Sequence, residues 1–102
     1  MYYQVIILSE ADDDLEEAFI WYELHQAGLG KRFFESVNES VRIVKENPLA
    51  FIQIYSGLRR ILITKFPYGI YYKVNPEIME IQVVGILHFG RNLKILRERV
   101  LF

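Results

Sequence analysis

The sequence predicts an α+β fold in which a helical hairpin packs on one face of a mainly antiparallel β-sheet. Two observations support this class. Helical and strand periodicities follow one another in the order β-α-α-β-β-β, with a C-terminal tail. The 102 residues are 52% hydrophobic and 15% aromatic, which is typical of a folded chain. We therefore expect one domain over residues 1–102, burying about 60–70% of its unfolded surface.

The first strand and helix are predicted from the N-terminal 26 residues. Tyr2–Leu8 is a short β-branched and aromatic run ending at Ser9. Ser9 is expected to cap the helix, with Asp12–Asp14 in its first turn, where carboxylates interact well with the helix dipole. The inward stripe is Leu15, Ala18, Phe19 and Tyr22. We expect the helix to end near Gln26.

A second helix is predicted to begin near Gly30 or Lys31 and to stop at Asn47–Pro48, because a residue before proline avoids the helical region. The short connection makes the two helices antiparallel neighbours. The inward stripe of the second helix is Phe33, Val37, Val41 and Val44.

The remaining segments predict the sheet and the tail. Leu49–Tyr55 is either a loop or a short edge strand. The other elements are strands Arg59–Phe66 and Gly69–Val74 around a corner at Phe66–Gly69, a turn at Asn75–Glu77, a strand Glu80–His88 and a partly helical tail Gly90–Phe102. Four apolar tail residues are expected to dock on the core or on a partner: Leu93, Leu96, Val100 and Leu101.

Composition also bears on the compartment and the partners. The chain has no cysteine, so we expect a reducing cytoplasm. The apolar run 2–8 is too short to span a bilayer and is followed by acidic residues, so no membrane association is expected. Residues 1–56 carry a net charge of −6 and residues 57–102 carry +5. This asymmetry favours a local anionic partner over general nucleic-acid coating.

Residues 58–75 concentrate cationic and phenolic side chains on the central hairpin. Such a face suits phosphate and base stacking, or an acidic peptide laid along the sheet. The alternative is a solvated hairpin whose Lys and Arg side chains protect a sheet edge. The residues alone leave both interpretations open.

Five strings in the same order resemble the ParE/RelE superfamily of bacterial toxin–antitoxin toxins over nearly the whole chain. They are LSEADDDLEEAFIWYE (8–23), AGLGKRFFESV (27–37), NP (47–48), GLRRILITKFPYGIYYKV (57–74) and VVGILHFGR (83–91). The helical pattern and the FPYGIYY corner are more similar to the ParE and plasmid-stabilisation members.

The resemblance implies a toxin of a type II toxin–antitoxin module, neutralised by a small cognate antitoxin in a hetero-oligomer. ParE-like members bind and inhibit DNA gyrase, and this is the function we expect. RelE-like members are ribosome-dependent mRNA endonucleases, which is the alternative. A member that keeps the fold but is no longer toxic is the third hypothesis.

Candidate site residues follow from this resemblance. The expected partner-binding residues are Arg59, Arg60, Lys65, Tyr68, Tyr72 and Arg91. For a RelE-like nuclease the base, acid and cations would be Arg59, Lys65, Tyr72, His88 and Arg91. The tail has Asn92–Leu93–Lys94 where the family often has a basic, proline-containing continuation. That departure and the pI of about 6.1 argue against the nuclease.

Other conspicuous residues are expected to be structural. The acidic residues 12–17 fit a solvated helix start, since no histidine joins them at metal-ligand spacing. Trp21, Phe33 and Phe34 are expected to pack in the core or between the helices, and His25 suits a helix C-terminus. We find no cofactor motif, so neither a cofactor nor a metal is expected.

Overall fold

A computed structural model describes residues 3–55 and 57–100. The elements there are β1 Gln4–Ile7, α1 Ser9–His25, α2 Leu29–Glu46, β2 Gln53–Tyr55, β3 Leu58–Leu62, β4 Tyr68–Asn75, β5 Glu80–His88 and α3 Lys94–Val100. The predicted order is confirmed, and the ambiguous segment 49–55 contributes a three-residue edge strand. Tyr2, Leu101 and Phe102, which the sequence assigned to the first strand and the tail, lie outside the described residues.

The five strands form one sheet in the order β1-β5-β4-β3-β2. Only β1 pairs in parallel, with Gln4 opposite Glu80 on β5; the other pairings are antiparallel. Together with the helical layer, this confirms the predicted α+β class with a mainly antiparallel sheet.

The helical hairpin covers one face of the sheet, with α1 over β5 and α2 over β3. The buried stripe of α1 is Ala11, Leu15, Ala18 and Tyr22, and that of α2 is Gly30, Phe33, Val37, Ser40 and Val44. Apart from Gly30 and Ser40, these residues meet Ile61, Ile70, Tyr72, Ile81 and Val83 from the sheet in the larger core cluster. The spacing of three and four residues therefore turned both predicted stripes inward, except at Phe19, which is half-buried and lies outside this cluster.

The C-terminal helix α3 covers the opposite face of the sheet. Leu96 is fully buried there against Leu58, Tyr71, Val84 and Leu87. Leu93 and Val100 pack around this second cluster. The tail thus docks on the core of its own chain, and the sheet is covered on both faces.

The connection between α1 and α2 is held by a side chain that sequence patterns did not single out. Both carboxylate oxygens of Glu23 accept hydrogen bonds, from the backbone N–H groups of Gly28 at 2.9 Å and Gly30 at 3.0 Å. Gly28 has φ of 89°, and a Cβ on Gly30 would lie 2.7 Å from the carbonyl oxygen of Phe19. The AGLG string therefore allows two helices to approach closely.

Local predictions at the start of α1 and at the β3–β4 connection need correction. Helix α1 begins at Ser9 itself with Leu8 as its N-cap, because the Ser9 hydroxyl donates to the Glu10 carboxylate rather than accepting a helix N–H. Strand β3 ends at Leu62 and β4 already begins at Tyr68, so the connection is residues 63–67 and not Phe66–Gly69. Gly69 pairs with Leu62 inside the ladder.

Two aromatic residues expected to be packed are instead largely exposed. Phe33 is fully buried, but the relative solvent exposures of Trp21 and Phe34 are 54% and 42%. Position 21 lies at the edge of the stripe formed by Ala18 and Tyr22, and the Trp21 ring stacks there on the exposed His25 ring at 3.7 Å. No helix of residues 3–55 and 57–100 is long and apolar enough to cross a membrane.

Candidate functional site

A cleft of about 450 Å³ opens between α1, the start of β4 and the end of β5. Three of the residues predicted for the site line it, namely Tyr68, His88 and Arg91. Helix α1 adds Asp14, Glu17, Trp21 and Tyr22. Its volume is that of a small-ligand or side-chain pocket, and its lining combines aromatic rings with charges of both signs.

Tyr68 forms the aromatic wall of the cleft. Its ring lies 5.0 Å from Phe33 and 5.3 Å, edge to face, from His88. Burial raises the pKa of the Tyr68 hydroxyl, and the charges of Glu17 and Asp14 add to this rise. The phenol therefore stays protonated in a negative local field, and it is poorly suited to act as a base.

His88 and Arg91 stand at the exit of β5. The backbone N–H of Gly90 donates to His88 Nδ1 at 2.9 Å, and the N–H of Arg91 donates to the His88 carbonyl at 3.0 Å. The imidazole is exposed, and its Nδ1 is occupied as an acceptor. A tight turn thus places Arg91 among the residues that line the cleft.

Arg59 and Tyr72 lie elsewhere, on the face covered by the helical hairpin. Arg59 Nη1 donates to the carbonyl oxygens of Phe51 at 2.7 Å and Leu49 at 3.2 Å. The Tyr72 hydroxyl donates to the carbonyl oxygen of Pro48 at 2.9 Å. These bonds fix the segment that follows α2 onto the sheet.

Tyr72 offers no surface to a partner in this arrangement, because its relative exposure is 0%. Burial raises its pKa to about 12, and the nearby Arg59 charge only partly opposes this rise. A phenol with that pKa is neutral at physiological pH. Its observed role is to satisfy a backbone carbonyl inside the core.

Arg60 and Lys65 occupy a third region. Arg60 pairs with Tyr71 in the ladder, which places it on the face covered by α3. Its Nε is buried and has no hydrogen-bond partner among the described residues. Lys65 is exposed in the β3–β4 connection, with φ of 73°. The six predicted partner-binding residues are therefore spread over three regions of the surface and core.

Asp14, one of the residues that line the cleft, forms an ion pair that the sequence analysis missed. Arg99 on α3 donates to both carboxylate oxygens of Asp14 on α1, at 2.7 and 3.1 Å, and both side chains are about nine-tenths buried. The hydrogen bond to Asp14 is the main cause of the raised pKa of Arg99. The sequence suggested that Asp14 belongs to a solvated helix start, and for Asp14 this prediction is wrong.

This ion pair also forms hydrogen bonds to the backbone of β5 where that strand is irregular. Tyr71 pairs with Gly85 and Tyr72 with Val83, so Val84 is an extra residue in β5, which is the mark of a β-bulge. The Ile86 N–H donates to Asp14 at 3.0 Å, and the Val84 carbonyl accepts from Arg99 at 3.0 Å. Because the pair is 85 residues apart in sequence, no local pattern indicates it.

A second candidate surface is a groove of about 480 Å³ at the outer edge of β3. Pairing with β2 reaches Arg59, and the Arg60 N–H donates to the Ile52 carbonyl at 3.1 Å. Beyond this point no strand in the described part of the chain pairs with the outer side of Leu62. Apolar side chains surround this open edge: Ile43, Ile52 and Leu62 are all exposed.

The arrangement resembles known structures despite low sequence similarity. No family model and no curated protein matches the sequence. The chromosomal ParDE toxin–antitoxin system of P. aeruginosa is 16% identical with a TM-score of 0.74, over 84% of this chain and 95% of that chain. A mutant of E. coli toxin RelE in the free state is 14% identical with a TM-score of 0.70, over 99% and 96%.

A third structure extends this likeness. The toxin–antitoxin complex RelBE2 of Mycobacterium tuberculosis is 17% identical with a TM-score of 0.62, over 86% of this chain and 99% of that chain. At such identities the likeness concerns the fold, and it spans nearly the full length of each neighbour. The ParE/RelE fold predicted from the five sequence strings is confirmed: this chain folds as the toxins of the ParE/RelE superfamily do.

Proposed function

We propose that the chain is the toxin of a type II toxin–antitoxin module, that it acts on DNA gyrase by binding, and that a cognate antitoxin neutralises it. Two of the three similar structures are described as toxin–antitoxin systems or complexes, and the third as a toxin. A shared fold supports the class of protein, whereas the mode of action has to be argued from the site.

The observation that carries the binding mechanism is the dispersal of the residues that a nuclease would need. Cleavage of a phosphodiester requires a base, an acid and cations around one phosphate. Tyr72 is buried against Pro48, and Arg59 is engaged by two carbonyls. The cleft that does hold Tyr68, His88 and Arg91 also holds Glu17, whose carboxylate repels a phosphate; the charge of Asp14 in the same cleft is balanced by Arg99.

The open edge of β3 is the proposed seat of the antitoxin. An extended segment can add a strand to the unpaired backbone groups of Leu62 and place apolar side chains against Ile43 and Ile52. From there it can continue over the helical hairpin and reach the exposed basic residues Lys65 and Arg91. Such a segment covers apolar surface and pairs with positive charge along one path.

The test is expression of the chain alone with two readouts, supercoiling by purified gyrase and primer extension on ribosome-bound mRNA. We expect inhibited supercoiling and intact transcripts. Arg91→Ala and His88→Ala are compared with Lys94→Ala, an exposed control on α3. Cleavage of mRNA that both site variants abolish and the control retains would establish the nuclease instead. Normal supercoiling, intact transcripts and normal growth would contradict the proposal and support the third hypothesis, a chain that keeps the fold but is no longer toxic.

A further inference from the structure

The C-terminal half of α1 presents an apolar stripe to solvent. Ile20, Trp21 and Leu24 expose 48%, 54% and 82% of their surfaces. Ile20 and Leu24 are one helical turn apart, so their side chains adjoin, and Trp21 borders them. Single exposed apolar residues are ordinary, but three adjoining ones on a helix indicate a surface that a partner covers.

The N-terminal half of the same helix face carries only negative charge. Asp13, Glu16 and Glu17 are exposed and precede Ile20 and Leu24 at helical spacing. None of the three carboxylates forms an ion pair with a described residue, and α1 contains no Lys or Arg. Asp13 and Glu17 repel one another at a separation of four residues, and a cationic partner would relieve this repulsion.

Charge decides which partner fits. A second copy placed symmetrically on this face would offer no cation to Asp13, Glu16 and Glu17, because α1 contains no Lys or Arg. Nucleic acids and anionic lipid surfaces are repelled by these carboxylates. Arg99 of α3 is already held by Asp14. A segment that is basic at one end and apolar at the other matches both halves of the face.

We propose that this outer face of α1 binds a basic amphipathic helix of the target protein. Lys or Arg side chains of that helix pair with Asp13, Glu16 and Glu17, and its apolar side chains cover Ile20, Trp21 and Leu24. The inference rests on the proposed function only in assigning this helix to the toxin's target. Glu17 and Trp21 of this face also line the cleft that holds Arg91, whereas the β3 edge groove lies beside α2.

The only tryptophan of the chain, Trp21, makes the binding measurable on the full-length protein. The probe is a synthetic helical peptide of about 18 residues with Leu on one face and Lys beside it. Burial of Trp21 is expected to shift its emission to shorter wavelength. A matched peptide with Glu in place of every Lys is expected to leave the emission unchanged.

Two double variants with the same change in charge test the location. Glu16→Lys with Glu17→Lys is expected to weaken peptide binding at least about tenfold, a change equivalent to about 1.4 kcal/mol. Glu35→Lys with Glu77→Lys, at exposed positions off α1, is expected to stay within about twofold. Leu24→Ser is expected to weaken binding by itself, because this side chain is largely exposed and its loss leaves the core intact.

Several outcomes would overturn the proposal. Equal weakening in both double variants means that only overall charge matters, and unchanged emission with the Lys peptide means that the face is not a binding surface. A blue shift that grows with protein concentration alone means that a second copy covers it. Since the assay uses neither gyrase nor growth, peptide binding without gyrase inhibition would reject the proposed function and keep the site.

Discussion

Replacing Asp14 by alanine is expected to destabilise the protein more than any exposed charge substitution. The change leaves the Arg99 guanidinium without its counter-charge, although its side chain is only 10% exposed. It also removes the acceptor of the Ile86 N–H. Breaking a buried pair from one side generally costs 3–5 kcal/mol. Because both side chains keep some contact with solvent, we expect about 3 kcal/mol.

The size of this effect is large for a chain of 102 residues. Domains of this length have free energies of unfolding of about 5–15 kcal/mol, and each kcal/mol shifts Tm by about 4–8 °C. We therefore expect Tm to fall by about 12–24 °C. Asp14→Asn keeps an oxygen acceptor for Ile86 while losing the charge, so it should be milder by about 1 kcal/mol.

Urea unfolding followed by circular dichroism measures these differences. The control is Arg42→Ala, which removes an ion pair to Glu39 and Glu46 of similar geometry but more than half exposed. Solvent screens that pair, so the control should change the urea midpoint little. The reasoning is refuted if Asp14→Ala unfolds at the same urea concentration as Arg42→Ala, since burial would then contribute nothing to the strength of the pair.

Two further predictions concern the core and the helical hairpin. Tyr72→Phe removes the hydrogen bond to the Pro48 carbonyl and should cost about 1 kcal/mol in urea unfolding. Since the pKa of Tyr72 is raised to about 12 in the folded state, its contribution is complete below the unfolded pKa of about 10. As the pH rises from about 10 to about 12, that contribution should decline. The fall of the urea midpoint should therefore be smaller in Tyr72→Phe, where Tyr22 and Tyr68, whose pKa values are also raised by burial, still titrate. Gly30→Ala brings a Cβ within 2.7 Å of the Phe19 carbonyl oxygen and should cost about 1–3 kcal/mol. An unchanged midpoint for Gly30→Ala would show that α1 and α2 can separate without loss.

Local patterns were sufficient for most of the secondary structure. The i, i+3, i+4 spacing of residues such as Leu15 and Tyr22 located α1, and alternation around Ile81 and Val83 located β5. Errors were confined to the ends of elements, as at Ser9 and at the β3–β4 connection. There, a single side-chain hydrogen bond or a few residues of pairing decides the boundary.

The site was harder to predict because its chemistry depends on which face of each strand is covered. Alternation places Arg59 and Tyr72 on one face and Arg60 and Tyr71 on the other. From the sequence we expected one of these faces to be exposed and available to a partner. Since α3 covers the second face, Tyr71 and Tyr72 are both buried, and only Tyr68, His88 and Arg91 remain around a shared cleft.

The sequence by itself determined the element order, the two helical stripes and the resemblance that pointed to the fold, because these depend on residues close together in the chain. Only the tertiary structure decided that Asp14 meets Arg99, that the β3 edge stays open and that the outer face of α1 is left uncovered. Burial and charge pairing depend on distances in space between segments remote in sequence. Such distances exist only once the helices and the sheet have packed together.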